Sequence, residues 1–354
     1  MRTLSNILVT GGTGFIGSNF IRFILKRNNV FTGKVVNLDA LTYAGNLLNL
    51  ADIEDNSRYF FEHGNICNFN LVKSILDKYK IDTIVHFAAE SHVDRSIFDP
   101  ECFIKTNIIG TFTLLEAARI IWKDRQDVLF HHVSTDEVYG SLGETGYFTE
   151  ETAYAPRSPY SASKAGSDHF IKAYNQTYGI PVTLSNCSNN FGPYQFPEKL
   201  VPLMILNMIE GKPLPVYGDG RNIRYWLYVE DHTSAIWAII QNGKSGETYN
   251  IGGDNEWENI KLLNVLIKIT ASKLSKTIAQ IQDTINFVKD RPGHDRRYAI
   301  DCSKIKKELG WKQLFSFEDR LGQTVDWYLA NSQWIESIRS GDYRNWVTKN
   351  YENR

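Results

Sequence analysis

The chain has 354 residues, and its 39 Lys and Arg nearly balance 40 Asp and Glu, for a formal net charge of −1. This length allows one large domain or two smaller ones with a sizeable core. Charges of both signs are dispersed, which argues against a nucleic-acid-binding face. No apolar run approaches the ~18–20 residues that span a bilayer, and a predicted strand begins too early for a signal peptide. The four scattered cysteines form no C-x-x-C pair, so we expect a cytoplasmic protein without a disulfide framework or a metal site.

The first predicted unit is a strand, a glycine-rich turn and a helix. Residues 7–10 are apolar and β-branched, three glycines follow, and residues 19–26 are amphipathic. Gly11 permits a tight turn, Gly14 lets a pyrophosphate approach the backbone, and Gly17 lets the helix pack against the strand. This order favours a dinucleotide site over a glycine turn without a ligand.

An acidic residue ends the second predicted strand. Asp39 closes residues 34–39, about twenty residues after the glycines, where an acid binds a ribose hydroxyl. A carboxylate at this position repels a 2′-phosphate. We therefore expect NAD as the cofactor in preference to NADP.

Predicted strands and helices then alternate along the chain. This alternation indicates an α/β protein with a Rossmann-type, doubly wound parallel sheet and ligands at the carboxyl ends of its strands. The further strands are 83–89, 128–134 and 182–187, and the helices between them are 69–78, 107–122 and 163–178.

The alternation fades after residue 188, where proline, aromatic and arginine residues punctuate loop-like sequence. We predict an NAD-binding domain over 1–188, with short strands near 226–229 and 247–251 rejoining its sheet. A smaller, discontinuous substrate domain would then comprise 189–225 and 252–340. Arg224 and Arg291 lie in such loops, and guanidinium groups bind diphosphates through paired donors.

Two segments carry the candidate chemistry. Thr135, Asp136 and Glu137 end an apolar run, while Tyr160 and Lys164 are four residues apart and so share one helix face. A hydroxyl, a phenol beside an amine and a pair of acids suffice for redox chemistry coupled to an elimination. The alternative, in which the two acids merely cap a turn, does not explain the phenol and the amine. Of the neighbouring His131 and His132, at least one is expected in the core.

Together these motifs, with residues 88–96 and 290–294, resemble the extended short-chain dehydrogenase/reductase family. More closely, they resemble its nucleotide-sugar 4,6-dehydratases, which act on substrates such as dTDP-glucose in deoxysugar biosynthesis, for example of rhamnose. The triplet Thr135–Glu137 is the most specific element, because nucleotide-sugar epimerases of the family usually lack both acids. The resemblance also implies a homodimer, and the apolar face of residues 107–122 is a candidate contact or equally ordinary core.

The resemblance implies the following residues for the two ligands. NAD would be held by Gly11, Gly14, Phe15, Ile16, Gly17, Asp39, Leu41, Thr42, Asn65, Ile66, Phe87, Ala88, Ala89, Glu90, Ser91, Thr106, Tyr160 and Lys164. The substrate dTDP-glucose would be held by Ser91, Thr135, Asn190, Glu198, Lys199, Leu200, Pro215, Tyr217, Arg224, Asn259, Arg291 and His294.

The implied reaction begins with oxidation at C4, which makes the C5 hydrogen acidic. Tyr160 would take the C4 hydroxyl proton, its pKa lowered by Lys164 and the nicotinamide, while Thr135 holds the C4 oxygen. Glu137 would take the C5 proton and a protonated Asp136 would assist loss of the C6 hydroxyl, before hydride returns to C6. The product would be dTDP-4-keto-6-deoxyglucose.

Other functions remain open at this point. The substrate could carry uridine, cytidine or guanosine diphosphate, because the residues alone do not separate the nucleotides. A nucleotide-sugar epimerase or decarboxylase would share the first oxidation. A catalytically silent NAD-binding protein would be expected to lack Tyr160, Lys164 or one of the acids.

Overall fold

The structure, a computed structural model, describes residues 2–26, 31–290, 293–314 and 316–339. The strands in these residues are β1 (Asn6–Thr10), β2 (Lys34–Asp39), β3 (Tyr59–His63), β4 (Thr83–His86), β5 (Leu129–Thr135), β6 (Val182–Cys187), β7 (Asn189–Phe191), β8 (Leu214–Tyr217), β9 (Ile223–Tyr228), β10 (Thr248–Ile251), β11 (Glu256–Glu258) and β12 (Ile285–Val288).

The α-helices are α1 (Phe15–Lys26), α2 (Phe69–Lys78), α3 (Val93–Phe98), α4 (Pro100–Phe103), α5 (Thr111–Trp122), α6 (Pro159–Tyr178), α7 (Leu200–Glu210), α8 (Val229–Asn242), α9 (Asn259–Leu274), α10 (Ile278–Gln282), α11 (Ser303–Leu309), α12 (Phe317–Ala330) and α13 (Ser332–Ile338). A π-helix, Ile104–Gly110, joins α4 to α5, and short 3₁₀ turns cover Leu47–Leu50 and Asp136–Tyr139. Within the described ranges, each helix is too short or too polar to cross a bilayer.

Seven parallel strands form the main sheet, in the order β10-β6-β5-β4-β1-β2-β3. The chain winds outwards from β1 in one direction through β2 and β3 and in the other through β4, β5 and β6. This topology confirms the predicted doubly wound α/β sheet. It also places a switch point between β1 and β4, where ligands bind in such sheets.

Side chains alternate across β1 and fill two separate layers of core. Ile7 and Val9 pack on the face covered by α1 and α8, whereas Leu8 packs on the face covered by α2, α5 and α6. All three side chains are fully buried. The strand is therefore apolar without a break, as is typical of a parallel strand covered on both sides.

A second lobe contains the β11-β9-β7 sheet and the parallel pair β12-β8. Its core comes mainly from α7, α9, α12 and α13. The prediction that residues 247–251 rejoin the main sheet is confirmed by β10, but that for 226–229 is wrong. Trp226 and Tyr228 of β9 instead pack against Phe191 of the second lobe, with ring centroids 6.3 and 5.5 Å away. A short apolar run can be buried in either sheet, so its pattern does not specify the partner.

Two helices begin earlier than the apolar patterns indicated. The helix predicted from residue 19 begins at Phe15, and that predicted from 163 begins at Pro159. Ser158 caps the latter, accepting a hydrogen bond from the Ser161 amide at 3.0 Å, and proline suits the first helical position. Strand 83–89 is shorter than predicted and ends at His86.

Candidate active site

A cleft of about 430 Å³ opens at the carboxyl ends of the main-sheet strands and extends to the second lobe. One end is bounded by the glycine loop and the end of β2, and the other by α7, β8 and β9. The cleft therefore lies at the switch point that the topology defines.

The cleft brings together most of the residues predicted from the sequence. Lining its cofactor end and floor are Gly11, Gly14, Phe15, Ile16, Gly17, Asp39, Thr42, Asn65, Ile66, Phe87, Ala88, Ala89, Glu90, Ser91, Thr106, Tyr160 and Lys164. Lining the remainder are Thr135, Asp136, Glu137, Asn190, Glu198, Lys199, Leu200, Pro215, Tyr217, Arg224, Asn259 and His294. Leu41 is not among the lining residues, and Arg291 lies outside the described residues. Ligand binding by these residues stays a prediction.

The glycine loop has the shape that a pyrophosphate needs. Gly11 has a φ of +71°, and a Cβ there would lie 2.7 Å from the backbone of Ala88. A Cβ on Gly17 would lie 2.3 Å from the carbonyl oxygen of Gly11, so both positions require glycine. A Cβ on Gly14 would meet only that same carbonyl, at 3.3 Å, within 4 Å. The backbone at Gly14 is thus open to a phosphate at the start of α1.

Asp39 is held by backbone amides on both of its oxygens. The amide of Thr13 donates to Oδ2 at 2.9 Å and that of Leu41 donates to Oδ1 at 2.8 Å. Leu41 itself has a positive φ, of 50°. Leu41 therefore orients the acid through its backbone, and a carboxylate so placed fits a ribose better than a 2′-phosphate.

Asp136 and Glu137 begin a 3₁₀ turn directly after β5. Thr135 caps this turn, its hydroxyl accepting a hydrogen bond from the Glu137 amide at 3.3 Å. Burial raises the pKa of Asp136 well above its usual value, Glu137 raises it further, and Arg224 acts in the opposite direction. These surroundings favour the protonated form of the carboxyl, which is the form that can donate a proton.

Tyr160 is the second residue of α6 and lines the same cleft as the two acids. Burial raises the pKa of this phenol well above its usual value, and the charge of Glu137 raises it further. A hydrogen bond with Thr135 acts in the opposite direction. The pKa shift that the protein itself causes is thus opposite to the predicted lowering, because burial and then the charge of Glu137 favour the neutral phenol.

Lys164 is buried one turn further along α6. Its amine donates to the carbonyl of Val133 at 2.9 Å and hydrogen-bonds Nε2 of His132 at 3.2 Å. Burial lowers the pKa of Lys164 to about 8, while Asp168 acts to raise it. His131 and His132 are both fully buried, which confirms the expectation of at least one core histidine.

The far side of the cleft carries a second set of polar contacts. Glu198 is buried, accepts a hydrogen bond from the Tyr43 hydroxyl at 2.9 Å and pairs with Arg95 at 3.1 Å. The Arg95 guanidinium lies 3.7 Å from the centroid of the Tyr43 ring. Burial raises the pKa of Glu198. This buried acid therefore joins the loop after β2 to helix α3.

Some lining residues were not identified from the sequence. Asp94 belongs to the motif 88–96 and accepts from the Tyr217 hydroxyl at 3.2 Å, so that motif could have indicated it. Apolar lining residues carried no signal of their own, because they look like core. The unidentified lining residues include His92, Val93, Asp94, Cys187, Ser188, Asn189, Gln195, Phe196, Leu203, Met204, Trp226 and Leu263.

The described residues contain no group of three or more His, Cys, Asp or Glu side chains able to hold a metal ion. The cleft instead combines a dinucleotide loop with Tyr160, Lys164 and two acids of unlike environment. Fold and site together define an NAD-dependent enzyme of the short-chain dehydrogenase/reductase class.

Comparison with known proteins narrows this class. A family model described as GDP-mannose 4,6 dehydratase matches residues 8–324. A dTDP-glucose 4,6-dehydratase from Salmonella typhimurium is 52% identical over 362 residues, covering 98% of this chain and 99% of that protein. The solved structure of a dTDP-glucose 4,6-dehydratase from Bacillus anthracis, in complex with NAD, has a TM-score of 0.84 at 46% identity, covering 95% of this chain and 100% of that one. The solved structure of a dTDP-glucose 4,6-dehydratase from Streptomyces venezuelae, with NAD and a second ligand bound, has a TM-score of 0.87 at 44% identity, covering 94% of this chain and 100% of that one. The chain belongs to the dTDP-glucose 4,6-dehydratase family.

Proposed function

We propose that this protein converts dTDP-glucose into dTDP-4-keto-6-deoxyglucose, using NAD as a cofactor that each turnover regenerates. The observation that carries this proposal is that the buried Asp136 lines the same cleft as Glu137 and Tyr160, in an environment that raises its pKa. An elimination needs one group that donates a proton and one that accepts it. Two adjacent acids in unlike environments supply both.

The cofactor would lie along the glycine loop, with Asp39 at the adenosine ribose and Ala88 to Ser91 beneath it. When bound, NAD supplies the redox chemistry, since it oxidises the substrate at C4 and later returns the electrons to C6. The sugar nucleotide would extend towards Arg224, Glu198 and Tyr217 in the second lobe. This assignment accords with a domain boundary near residue 188.

The first proton transfer would occur at the phenolic oxygen of Tyr160. This oxygen accepts the proton of the C4 hydroxyl, while the Thr135 hydroxyl holds the same sugar oxygen. Lys164 lies one turn further along the same helix, lines the same cleft and would supply a positive charge there. Such a charge opposes the burial that keeps the phenol protonated.

Oxidation at C4 makes the C5 hydrogen acidic, because the resulting carbanion is delocalised as an enolate. Glu137 would accept this proton, and Asp136 would donate its own proton to the departing C6 hydroxyl. Glu137 would then return a proton to C5. The proton that Tyr160 took from the C4 hydroxyl balances the one that Asp136 gave to the leaving water. Loss of the first to solvent and uptake of one by Asp136 would therefore restore the starting state.

The experiment is incubation of purified protein with dTDP-glucose, followed by mass analysis of the product. The expected result is loss of one water, with deuterium at C5 when the solvent is deuterium oxide. An isomer of unchanged mass would indicate an epimerase, and loss of carbon dioxide from a uronic acid substrate a decarboxylase. Glucose linked to UDP, CDP or GDP serves as the control for the nucleotide, and faster conversion of one of these would overturn the assignment to dTDP.

We further propose a homodimer in the cytoplasm. Helices α5 and α6 expose large apolar side chains on one face, among them Phe112, Ile120, Phe170 and Tyr178. The Phe112 and Phe170 rings lie 6.3 Å apart, so the two helices share this face. Light scattering of the purified protein tests the dimer. Phe112→Glu should yield monomers, and an unchanged mass would contradict the assigned face.

A further inference from the structure

Helix α13, the last described helix, makes a hydrogen-bonded connection to the glycine loop. The indole of Trp334 donates to Oδ1 of Asn49 at 2.6 Å. The side-chain amide of Asn49 in turn donates to the backbone carbonyl of Thr13 at 2.6 Å. These three residues are all buried, with exposed fractions of 5, 1 and 0%. A lost bond here would therefore leave a polar group unpaired in the interior.

Thr13 connects this chain of bonds to the proposed cofactor site. It stands between Gly11 and Gly14, and its amide donates to Asp39 at 2.9 Å. Its carbonyl also accepts from the amide of Asn46, at 3.2 Å. Three consecutive bonds thus connect α13 with the acid at the proposed ribose position.

The segment between β2 and β3 forms part of the wall of the cleft. Thr42, Ala44 and Gly45 line the cleft, and Asn46 and Asn49 follow them. Besides the bond from Trp334, a second link joins this segment to α13, because Asn46 donates to the hydroxyl of Ser337 at 2.8 Å. Movement of the segment away from the cleft would require both links to break.

Aromatic packing fixes the position of Trp334 itself. Its ring centroid lies 4.9 Å from that of Trp327, 6.0 Å from Tyr328 and 6.1 Å from Tyr194. The indole therefore has little freedom to follow a moving loop. Asn49 is tied to a rigid point of the second lobe.

We propose that α13 acts as a clasp on the cofactor, in which Trp334 and Asn49 are positioning residues that slow the release of NAD. The proposed route of release lies past the 40–50 segment, which lines the cleft at Thr42, Ala44 and Gly45, and the bonds to α13 oppose movement of that segment. A cofactor regenerated in each turnover gains from slow release, because a departed dinucleotide must be replaced before the next cycle. This inference rests on the proposed function only in taking NAD as the cofactor.

The test compares Trp334→Phe with a matched control, Trp327→Phe. The first change keeps a ring but removes the donor to Asn49, whereas the second removes an indole from the same aromatic cluster. NAD is removed from each protein, and the Kd and the release rate are measured by calorimetry and by competition with excess unlabelled NAD. We expect Trp334→Phe to release NAD about tenfold faster, and Trp327→Phe to stay within about twofold of the unchanged protein.

A double-mutant cycle separates a clasp from general loosening. Asn49→Ala should speed release by a similar factor, and the pair Trp334→Phe with Asn49→Ala should add little to either single change. If the double variant instead released NAD at a rate raised by the product of the two single effects, the proposal would be overturned. Equal effects of the two tryptophan changes, or a lower unfolding temperature without faster release, would overturn it too. None of these measurements uses the sugar, so a protein without dehydratase activity could still pass or fail this test.

Discussion

The amine of Lys164 lies 3.2 Å from Nε2 of His132, and both side chains are buried. Burial, followed by the charge of Lys164, lowers the pKa of His132 well below its usual value, so the imidazole is neutral. Asp168 lies on the other side, with Oδ1 3.2 Å from the same Nε2. The buried amine therefore has its carboxylate counter-charge one side chain away.

This arrangement predicts the alkaline limit of turnover. Lys164 has a pKa lowered to about 8, so its positive charge is present below that pH and is lost as the pH rises through it. Asp168→Asn removes a negative charge that raises this pKa, so the charge should be lost at a lower pH. We expect the alkaline limb of the kcat profile to fall near pH 8 in the unchanged protein and to move to lower pH in the variant.

Ser134→Ala provides the matched control for Asp168→Asn. The Ser134 hydroxyl donates to Asp168 at 2.8 Å, so its loss disturbs the same cluster without removing a charge. The alkaline limb should then move much less. Equal profiles for Asp168→Asn and the unchanged protein would show that the carboxylate does not act on Lys164.

Asp136→Asn should separate oxidation from elimination. The amide preserves the shape of the carboxyl but has no proton to give to the departing hydroxyl. We expect kcat to fall by about 10²–10⁴-fold, the usual contribution of general acid catalysis, with NAD binding unchanged. Product formation and NAD affinity are measured on the same preparation. Full turnover would remove Asp136 from the proposed mechanism.

Tyr160→Phe should block the reaction before elimination. Without the phenolic oxygen no group at that position accepts the C4 proton, so reduced cofactor should not accumulate when substrate is added. Absorbance of the reduced dinucleotide in a single turnover measures this step. Tyr178→Phe, which changes an exposed tyrosine of the same helix, should retain activity. Normal reduction in the Tyr160 variant would contradict its assigned role.

Gly11→Ala should destabilise the protein through two additive causes. A φ of +71° disfavours alanine by about 1–2 kcal/mol, and a Cβ 2.7 Å from Ala88 adds about 1–3 kcal/mol of overpacking. Gly179 is a matched control, because its φ is +68° but no atom lies within 4 Å of the added carbon. Gly179→Ala should therefore lose only the stability that the positive φ costs alanine, about 1–2 kcal/mol. Denaturant unfolding measures the free energy of unfolding of both variants. Equal losses of stability would show that the clash with Ala88 contributes nothing.

Local patterns predicted the parts of this protein that depend on neighbouring residues in the chain. The order of strand, glycine turn and helix around Gly11 and the parallel sheet followed from spacing and periodicity. The partner of β9 did not, because a buried apolar run fits either sheet. The role of Leu41 lies in its backbone amide, which the identity of a side chain does not reveal. The bond from Trp334 to Asn49 joins residues far apart in the chain, beyond the reach of any local pattern.

The π-helix Ile104–Gly110 determines how this part of the chain responds to the loss of a residue. The Asn107 side chain accepts a hydrogen bond from the Glu90 amide at 2.9 Å and donates one to the Glu90 carbonyl at 3.0 Å. These bonds fix the π-helix, and with it the start of α5, to the floor of the cleft. A π-helical turn holds one residue more than an α-helical turn, so deleting one residue between Asn107 and Thr111 should convert the segment to α-helix and leave Leu114 and Leu115 in the core. Deleting one residue at the start of α5 would instead turn the rest of that helix by about 100° about its axis and move both leucines towards water. The π-helix should therefore accept the loss of a single residue, whereas α5 should not.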